Sequence, residues 1–426
     1  MCSKKVPLLY KFKEVCIKEA DTFAKENGIF FQTSNWSDFR SCFKTASFLG
    51  YNGDKVVLSC VLFLLPVYLT PYKIGYITRG FVCDYSDKTL ISEFTDFLKD
   101  YMKRKHIIYL IFDPHCQRRV DFNDPENDIN EFFKSLGYIE NNILCLQPKT
   151  NYLLKLNKDE QCSTEEKRLW KGFSQRLQND IQISYDRGVS LEKYRGDNKK
   201  AVEIFYNLLV ETTAKKGFGH RDLEYYQKFA SSLADYVTIY LYKYNSERDI
   251  LYTENILKDV EEQINRFNEE IANPETTDKK RERLYPKLKE AEKQKKATIK
   301  RLEIAKNHTD DPYISAFFYI KMGNKAYNFY GANSVFLRDL KLTANYWDLI
   351  KDSLDGKVET FNMGGTLKLT TDDIKKDPMY ELYQYKCQYG GEFVEMPGEF
   401  FLISRPKLFD LFHNKLHYFR RLIFRL

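Results

Sequence analysis

Residues 246–308 constrain the fold of this chain more than any other stretch. They are strongly charged, yet apolar side chains recur at Ile250, Leu257, Val260, Ile264, Phe267 and Ile271, with Thr253 filling the one missing step. That alternating three- and four-residue spacing is the seam of a coiled coil, which a helix can bury only against another helix. After a turn-rich segment, Asn273-Pro-Glu-Thr-Thr-Asp278, a second series falls at Leu284, Leu288, Ala291, Lys295, Thr298, Leu302 and Ala305. Together they predict an antiparallel helical hairpin, with Pro286 either starting the regular part of the return helix or kinking it. Strand signals lie on both sides, at 237–244 and then at 313–322 and 325–330, so the hairpin interrupts an α/β pattern. Charge alone leaves its role open between a solvated arm joining two strands and an arm that contacts RNA.

Elsewhere the chain alternates helix and strand signals. An amphipathic stretch at 9–25 precedes an apolar strand pair within 56–76, a helix at 90–103 and a strand at 106–113. From about Lys149 a second α/β pattern begins, with helices at 198–213 and 223–233. A length of 426 residues with 43% hydrophobic side chains is enough for two domains with sizeable cores.

Charge and cysteine usage narrow the setting. Lysine and arginine total 67 against 60 acidic residues, a net charge of +7, which permits an anionic partner without demanding one. Aromatics make up 15% of the chain, suiting ring-rich cores and stacking platforms alike. The nine cysteines are scattered without a C-x-x-C pair, as expected of free thiols in a reducing cytosol. The first residues lack the apolar run of a signal peptide, and the apolar stretch 56–69 is short of the roughly 18–20 residues of a spanning helix. The expectation is a soluble cytoplasmic protein. Residues 405–426 place Leu408, Leu411, Phe412, Leu416, Phe419, Ile423 and Leu426 on one helical face, with basic charges opposed only by Asp410. Such a helix either closes a domain or makes a peripheral contact with an anionic membrane or with phosphates.

The chain has no phosphate-binding G-x-x-x-x-G-K-[ST] loop, no G-x-G-x-x-G fingerprint, no H-E-x-x-H pair and no G-x-S-x-G elbow. Nucleotide hydrolysis, dinucleotide redox chemistry, zinc proteolysis and serine hydrolysis lose support. Six histidines in no ligand motif argue against metal catalysis.

Polar residues at the ends of apolar segments remain. Asp113 follows Ile107-Ile-Tyr-Leu-Ile-Phe112 and precedes Pro114, where a carboxylate either caps a turn or enters a site. Arg221 and Tyr225 lie four apart in Gly217-Phe-Gly-His-Arg-Asp-Leu-Glu-Tyr-Tyr226, on one face of a helix start where glycines and an arginine suit a phosphate. Lys386 stands among aromatics in Leu382-Tyr-Gln-Tyr-Lys-Cys387, read as a strand with the lysine facing inward.

Ordered landmarks link these residues: Phe31-Gln-Thr-Ser-Asn-Trp36, Ile77-Thr-Arg-Gly-Phe81, Phe112-Asp-Pro114, the hairpin, Ser315-Ala-Phe-Phe318, Tyr330-Gly-Ala-Asn-Ser334, Phe361-Asn-Met-Gly-Gly365, and Tyr385-Lys386 followed by Gly398-Glu-Phe400. In order and spacing the chain resembles the Fem family of peptidoglycan bridge-forming aminoacyltransferases. The resemblance implies a mixed α/β (α+β) fold of two domains resembling acyl-CoA N-acetyltransferases (GNAT-like), with an inserted coiled-coil hairpin similar to the tRNA-binding arm of seryl-tRNA synthetase. The first domain would comprise residues 1–148 and 398–426, the second 149–245 and 309–397, and the arm 246–308. The family's phosphate-gripping basic pair falls on Arg40 and Arg221, its accompanying tyrosine on Tyr225 and its cleft tyrosine on Tyr330. Trp36 joins these substrate-binding positions. The catalytic positions fall on Asp113, the strand carboxylate, and Lys386, the lysine associated with the acyl group. Some relatives carry lysine at the position of Arg40, a different phosphate geometry. The segment before Gly188, basic in relatives, is diluted here to Lys171, Arg176 and Arg187, which weakens it as a tRNA contact.

The implied reaction moves an amino acid from aminoacyl-tRNA, the co-substrate, to the stem peptide of lipid II or UDP-MurNAc-pentapeptide. It requires no metal or organic cofactor. An acyl-CoA-dependent N-acyltransferase and a non-catalytic tRNA-binding protein are the alternatives; against the first, no [QR]-x-x-G-x-[GA] pyrophosphate loop is present.

Overall fold

The structure is a computed structural model and describes residues 9–119, 128–141, 146–157, 159–217, 219–308, 310, 312–340, 342–343, 345–366 and 374–416. The chain divides into two compact units. One comprises Met1–Gly172, Ile320–Asn328 and Ile350–Leu426, the other Phe173–Tyr319 and Phe329–Leu349.

The first sheet lies in the first unit. Its strands run in the order Lys11–Val15, Lys44–Asn52, Lys55–Pro66, Lys73–Ile77, Ile107–Phe112, Phe400–Ile403 and Tyr138–Glu140, with Val82–Cys83 paired onto Lys55–Pro66. Lys73–Ile77 and Ile107–Phe112 are parallel, with Ile77 beside Phe112. A parallel pair needs a crossover, and the helix Lys88–Arg104 supplies it. Asp87 caps that helix by accepting the Leu90 N–H at 2.9 Å. Its apolar stripe, Leu90, Ile91, Phe94, Leu98, Tyr101 and Met102, is buried against the sheet core. Every residue of Ile107–Phe112 is buried, which explains why this strand is a continuous apolar run rather than an alternating one.

The stretch at 9–25 is not one amphipathic helix. Lys11–Val15 is a strand paired with Ser47–Tyr51, and the helix Ile17–Glu26 begins only after Cys16. Phe12 and Val15 are the partly buried side chains of this strand, and Phe12 packs on Phe94 and Phe97.

The second sheet has the order Glu392–Glu395, Thr150–Lys155, Thr360–Gly365, Lys325–Asn333, Tyr313–Met322, Val237–Lys243 and Ser190–Arg195. Between its strands Val237–Lys243 and Tyr313–Met322 the hairpin is inserted, with helices Ser246–Ala272 and Asp278–Lys306. Asn245 caps the first by accepting the Arg248 N–H at 2.8 Å. The buried residues of the return helix, Leu284, Ala291, Thr298 and Ala305, recur at heptad spacing and face a seam that includes Thr253 and Val260. Lys295–Glu261 and Lys306–Glu254 ion pairs, at 2.7 and 3.0 Å, bridge the helices. The return helix is already formed at Asp278, so Pro286 lies inside it rather than at its start.

Two further expectations are corrected. Tyr380–Cys387 is a helix, not a strand. Its aromatics alternate in sequence, but Tyr380 stacks on Tyr383 at 6.0 Å and the Tyr385 and Tyr389 hydroxyls meet at 2.7 Å, the third- and fourth-neighbour pairings of a helix. At the C-terminal end, Pro406–Phe409 continues into a wider turn over Asp410–Lys415. The side chains that pack on Tyr109 and Phe401 are Phe409 and His413, whereas Leu411 and Leu416 are exposed. The widened turn shifts the packing face away from the one the sequence periodicity marks. The remainder of that basic helix, beyond residue 416, lies outside the described residues. No described helix is long and apolar enough to cross a membrane.

Candidate active site

Asp113 ends the buried strand Ile107–Phe112 and is itself fully buried. Its N–H donates to Ile77 O at 3.2 Å, extending the parallel ladder by one step. Arg79, to which the sequence assigned no role, supplies the partner. Its Nη1 donates to Asp113 Oδ1 at 3.3 Å and its Nη2 to the Pro148 carbonyl at 3.2 Å. Arg79 has φ of 47°, a left-handed conformation that costs an L-residue about 1–2 kcal/mol. Gln32 ties the backbone just before Arg79 to the strand Lys55–Pro66: its amide donates to Thr78 O at 2.7 Å and accepts the Val61 N–H at 2.7 Å. Gly80 is required by this close approach, since a Cβ there would lie 2.4 Å from Gln32 Cδ.

Asp113 Oδ2 has no hydrogen-bond partner among the described residues. Burial pushes the carboxyl up to about 6, against the pull of Arg79. A buried carboxylate with one oxygen held and the other open can receive an N–H donor.

A second carboxyl, Glu399, is also buried. It accepts from Asn141 Nδ2 at 3.2 Å and from the Leu146 N–H. Burial and the charge of Asp113 raise it to about 7, while Leu146, Asn141 and Arg79 pull it down. A negative charge on Asp113 thus disfavours ionisation of Glu399. Nearby, His115 Nε2 lies 3.3 Å from the Tyr327 hydroxyl. Burial, with Arg79 and Lys325, holds its imidazole well below the usual range, so it is neutral at pH 7.

Lys386 is 2% exposed in the helix Tyr380–Cys387. The pairing of Thr360–Gly365 with Thr150–Lys155 is irregular between Asn362 and Gly365, and Gly364 adopts φ of 82°. Asn362 Oδ1 accepts the Gly364 N–H at 2.7 Å. The bulge turns two carbonyls toward the helix, where Lys386 Nζ donates to Gly364 O at 3.0 Å and Gly365 O at 2.7 Å. Burial lowers the ammonium to about 7.

Trp36 and Arg40 come together. Thr33 caps the helix Ser34–Phe39 by accepting the Trp36 N–H at 3.3 Å. Trp36 is 4% exposed, wedged among Phe30, Phe31 and Phe39. The Arg40 guanidinium lies 5.3 Å from the Trp36 ring and 4.6 Å from Phe39. Trp36 therefore forms part of the aromatic base that carries Arg40.

In the second unit, Asp222 caps the helix Leu223–Ser232 by accepting the Tyr225 N–H at 2.9 Å. That start places the Arg221 guanidinium 5.5 Å from the Tyr225 ring. The Tyr225 and Tyr330 hydroxyls are 3.4 Å apart, with Phe205, Tyr226, Phe229 and Phe318 around Tyr330. Arg187, grouped by sequence with surface basic residues, is instead buried and bidentate to Asp249 at 2.7 and 2.9 Å. It also donates to Leu340 O at 2.7 Å, and the Tyr244 hydroxyl donates to Asp249 at 2.7 Å. The first hairpin helix is thereby fixed at its root.

The sequence reading missed Arg79 and Glu399 as site residues, although both fall inside its landmarks, Ile77–Phe81 and Gly398–Phe400. A charged residue within an otherwise apolar strand-end motif was the available signal. Among the described residues, no group of three or more His, Cys, Asp or Glu is placed to hold a metal ion.

The FemAB family profile matches residues 15–414, so the chain belongs to the FemAB family. The lipid II:glycine glycyltransferase of Staphylococcus aureus is similar at 24% identity, covering 92% of this chain and 93% of that protein. The crystal structure of FemX superimposes with a TM-score of 0.68 at 21% identity, covering 94% of this chain and 99% of that one. The expected family and the two-sheet α/β fold are thus borne out.

Proposed function

We propose that this protein transfers an aminoacyl group from aminoacyl-tRNA to an amine on the stem peptide of a peptidoglycan precursor. The observation that carries this reading is the buried Arg79–Asp113 pair, with one carboxylate oxygen open, in a chain of the FemAB family. The name of the staphylococcal relative supports a lipid-linked acceptor, and such an acceptor places the protein at the cytoplasmic face of the membrane.

The ester of aminoacyl-tRNA is already activated. The acceptor amine attacks its carbonyl, a C–N bond forms, the ester C–O bond breaks, and the ribose hydroxyl leaves with a proton. Asp113 accepts a hydrogen bond from the attacking amine and takes its proton. A carboxyl raised to about 6 is a better base for an ammonium than an unshifted one near ~4. Arg79 holds the carboxylate in place, and burial keeps its basicity high. Lys386 offers a donor to the oxyanion or to the terminal phosphate and ribose of the tRNA. Arg40 and Arg221 hold the precursor's phosphates with charge-assisted hydrogen bonds, and Tyr225 and Tyr330 pack against the precursor beside Arg221. The hairpin contacts tRNA. No step calls for a metal or an organic cofactor.

The test incubates the protein with lipid-linked precursor and a mixture of charged tRNAs and weighs the product by mass spectrometry. One added aminoacyl mass is expected, with Asp113→Asn strongly slowed. An unchanged precursor mass, or addition from acetyl-CoA in place of charged tRNA, would overturn the reading.

A further inference from the structure

Two exposed apolar residues stand together rather than singly. Tyr68 and Leu69, 78% and 87% exposed, form the tip of the turn between Lys55–Pro66 and Lys73–Ile77. The turn is tightly closed. The Val67 N–H donates to Tyr72 O at 3.0 Å, and Thr70 donates to Val67 O through its N–H at 3.1 Å and its hydroxyl at 2.8 Å. Leu69 sits at φ of 58°, a conformation suited to glycine or asparagine. A leucine there is unfavourable twice over in water, by backbone conformation and by exposed area, and the fold holds it rigidly outward.

The turn stands on a basic surface. The Arg405 guanidinium lies 5.3 Å from the Tyr72 ring, and its Nη2 is 3.5 Å from His106 Nδ1. Lys73 Nζ donates to Lys105 O at 3.2 Å. Arg104 closes the helix Lys88–Arg104, and Lys407 follows Arg405 at an exposed position. Two acidic side chains form exposed ion pairs at the edge of this cluster: Glu14 is 3.9 Å from Lys105, and Asp100 is 3.6 Å from Lys103.

We propose that this turn is a membrane-docking tip, in which Leu69 and Tyr68 enter the interface of an anionic phospholipid surface while Lys73, Lys105, Arg405 and Lys407 meet its headgroups. The chemistry fits on both counts. A leucine gains most by leaving water, and a tyrosine keeps its hydroxyl at the headgroup level. Basic side chains around a small apolar tip supply the electrostatic part of peripheral binding. The tip lies on the first sheet.

The test is flotation of the full chain with vesicles of phosphatidylcholine alone or with added phosphatidylglycerol. The vesicles contain neither precursor nor tRNA, so the outcome is independent of the transfer reaction. The parent should bind the anionic vesicles selectively and release as salt is raised. Tyr68→Ser/Leu69→Ser should bind at least about tenfold more weakly with unchanged melting, since both side chains are largely exposed. Lys73→Gln/Lys407→Gln should lose the preference for anionic lipid while keeping the tip. Unchanged vesicle binding by the tip variant overturns the proposal, as does a parent that binds neither vesicle. A tip variant that alters self-association or RNA binding in place of vesicle binding also overturns it.

Discussion

Replacing Lys386 with methionine removes a buried ammonium while keeping much of its aliphatic length, and the effects on stability and on chemistry separate cleanly. In the folded chain burial lowers this group to about 7 from its ordinary 10.5. Between those values the unfolded chain holds the proton and the folded chain does not. Stability therefore rises with pH across that window, by about 1.4 kcal/mol per pH unit from this group. Below pH 7 both states are protonated and the contribution is flat. At neutral pH two effects oppose each other. Methionine leaves Gly364 O and Gly365 O without their donor, a cost of about 1–3 kcal/mol for each. It also removes a buried charge whose desolvation costs several kcal/mol, so melting should stay near that of the parent. Urea unfolding at pH 6, 7, 8 and 9 gives the assay. The parent-minus-variant difference should be constant from pH 6 to 7 and then grow in the parent's favour. Losing an oxyanion donor typically costs about 100- to 1000-fold in rate, and single-turnover transfer should fall at least about tenfold. A difference that stays flat above pH 7 refutes the buried, easily deprotonated lysine. A native transfer rate refutes its role in the reaction and leaves it a packing residue.

Arg40→Ala and Arg221→Ala should each weaken precursor binding by about 1.5–3 kcal/mol, the worth of a hydrogen bond to a charged group, and the loss should shrink at high salt. If both variants distinguish precursors with and without phosphates as well as the parent does, the phosphate assignment is wrong. Replacing residues 261–297 by a short Gly/Ser link, which keeps Asp249 paired with Arg187, should leave the two sheets folded, because beyond that root the hairpin seam buries mainly its own helices. Filter binding should then show lost tRNA affinity with precursor binding retained; undiminished tRNA affinity would remove the arm from RNA recognition. Arg187→Ala strands Asp249 in the interior, which should lower unfolding free energy by about 3–5 kcal/mol, and a loss under about 1 kcal/mol, typical of exposed pairs, would contradict its buried geometry.

Patterns with long range along the chain were legible from the residues alone. The hairpin announced itself because a heptad seam repeats over many turns, and the strand at Asp113 because a buried parallel strand must be apolar on both faces. Shorter segments were decided by contacts that sequence does not display. Tyr380–Cys387 has the alternation of a strand, yet its rings find partners three and four residues away, and helical packing wins. Residues 9–25 hold a strand followed by a helix, and nothing local marks Cys16 as the boundary except the short capping arrangement with Glu19. The site shows the same division. Asp113 was visible as a carboxylate at a strand end. Burial makes it basic, Arg79 on the neighbouring parallel strand's exit holds it, and Glu399 comes from near the C-terminus, carried by the pairing of Phe400 with Phe112. Those partners lie 34 residues away and farther still along the chain, so no local window contains both the acid and the groups that set its strength. Only the sheet topology does, and the landmarks Ile77–Phe81 and Gly398–Phe400 are spaced to meet there.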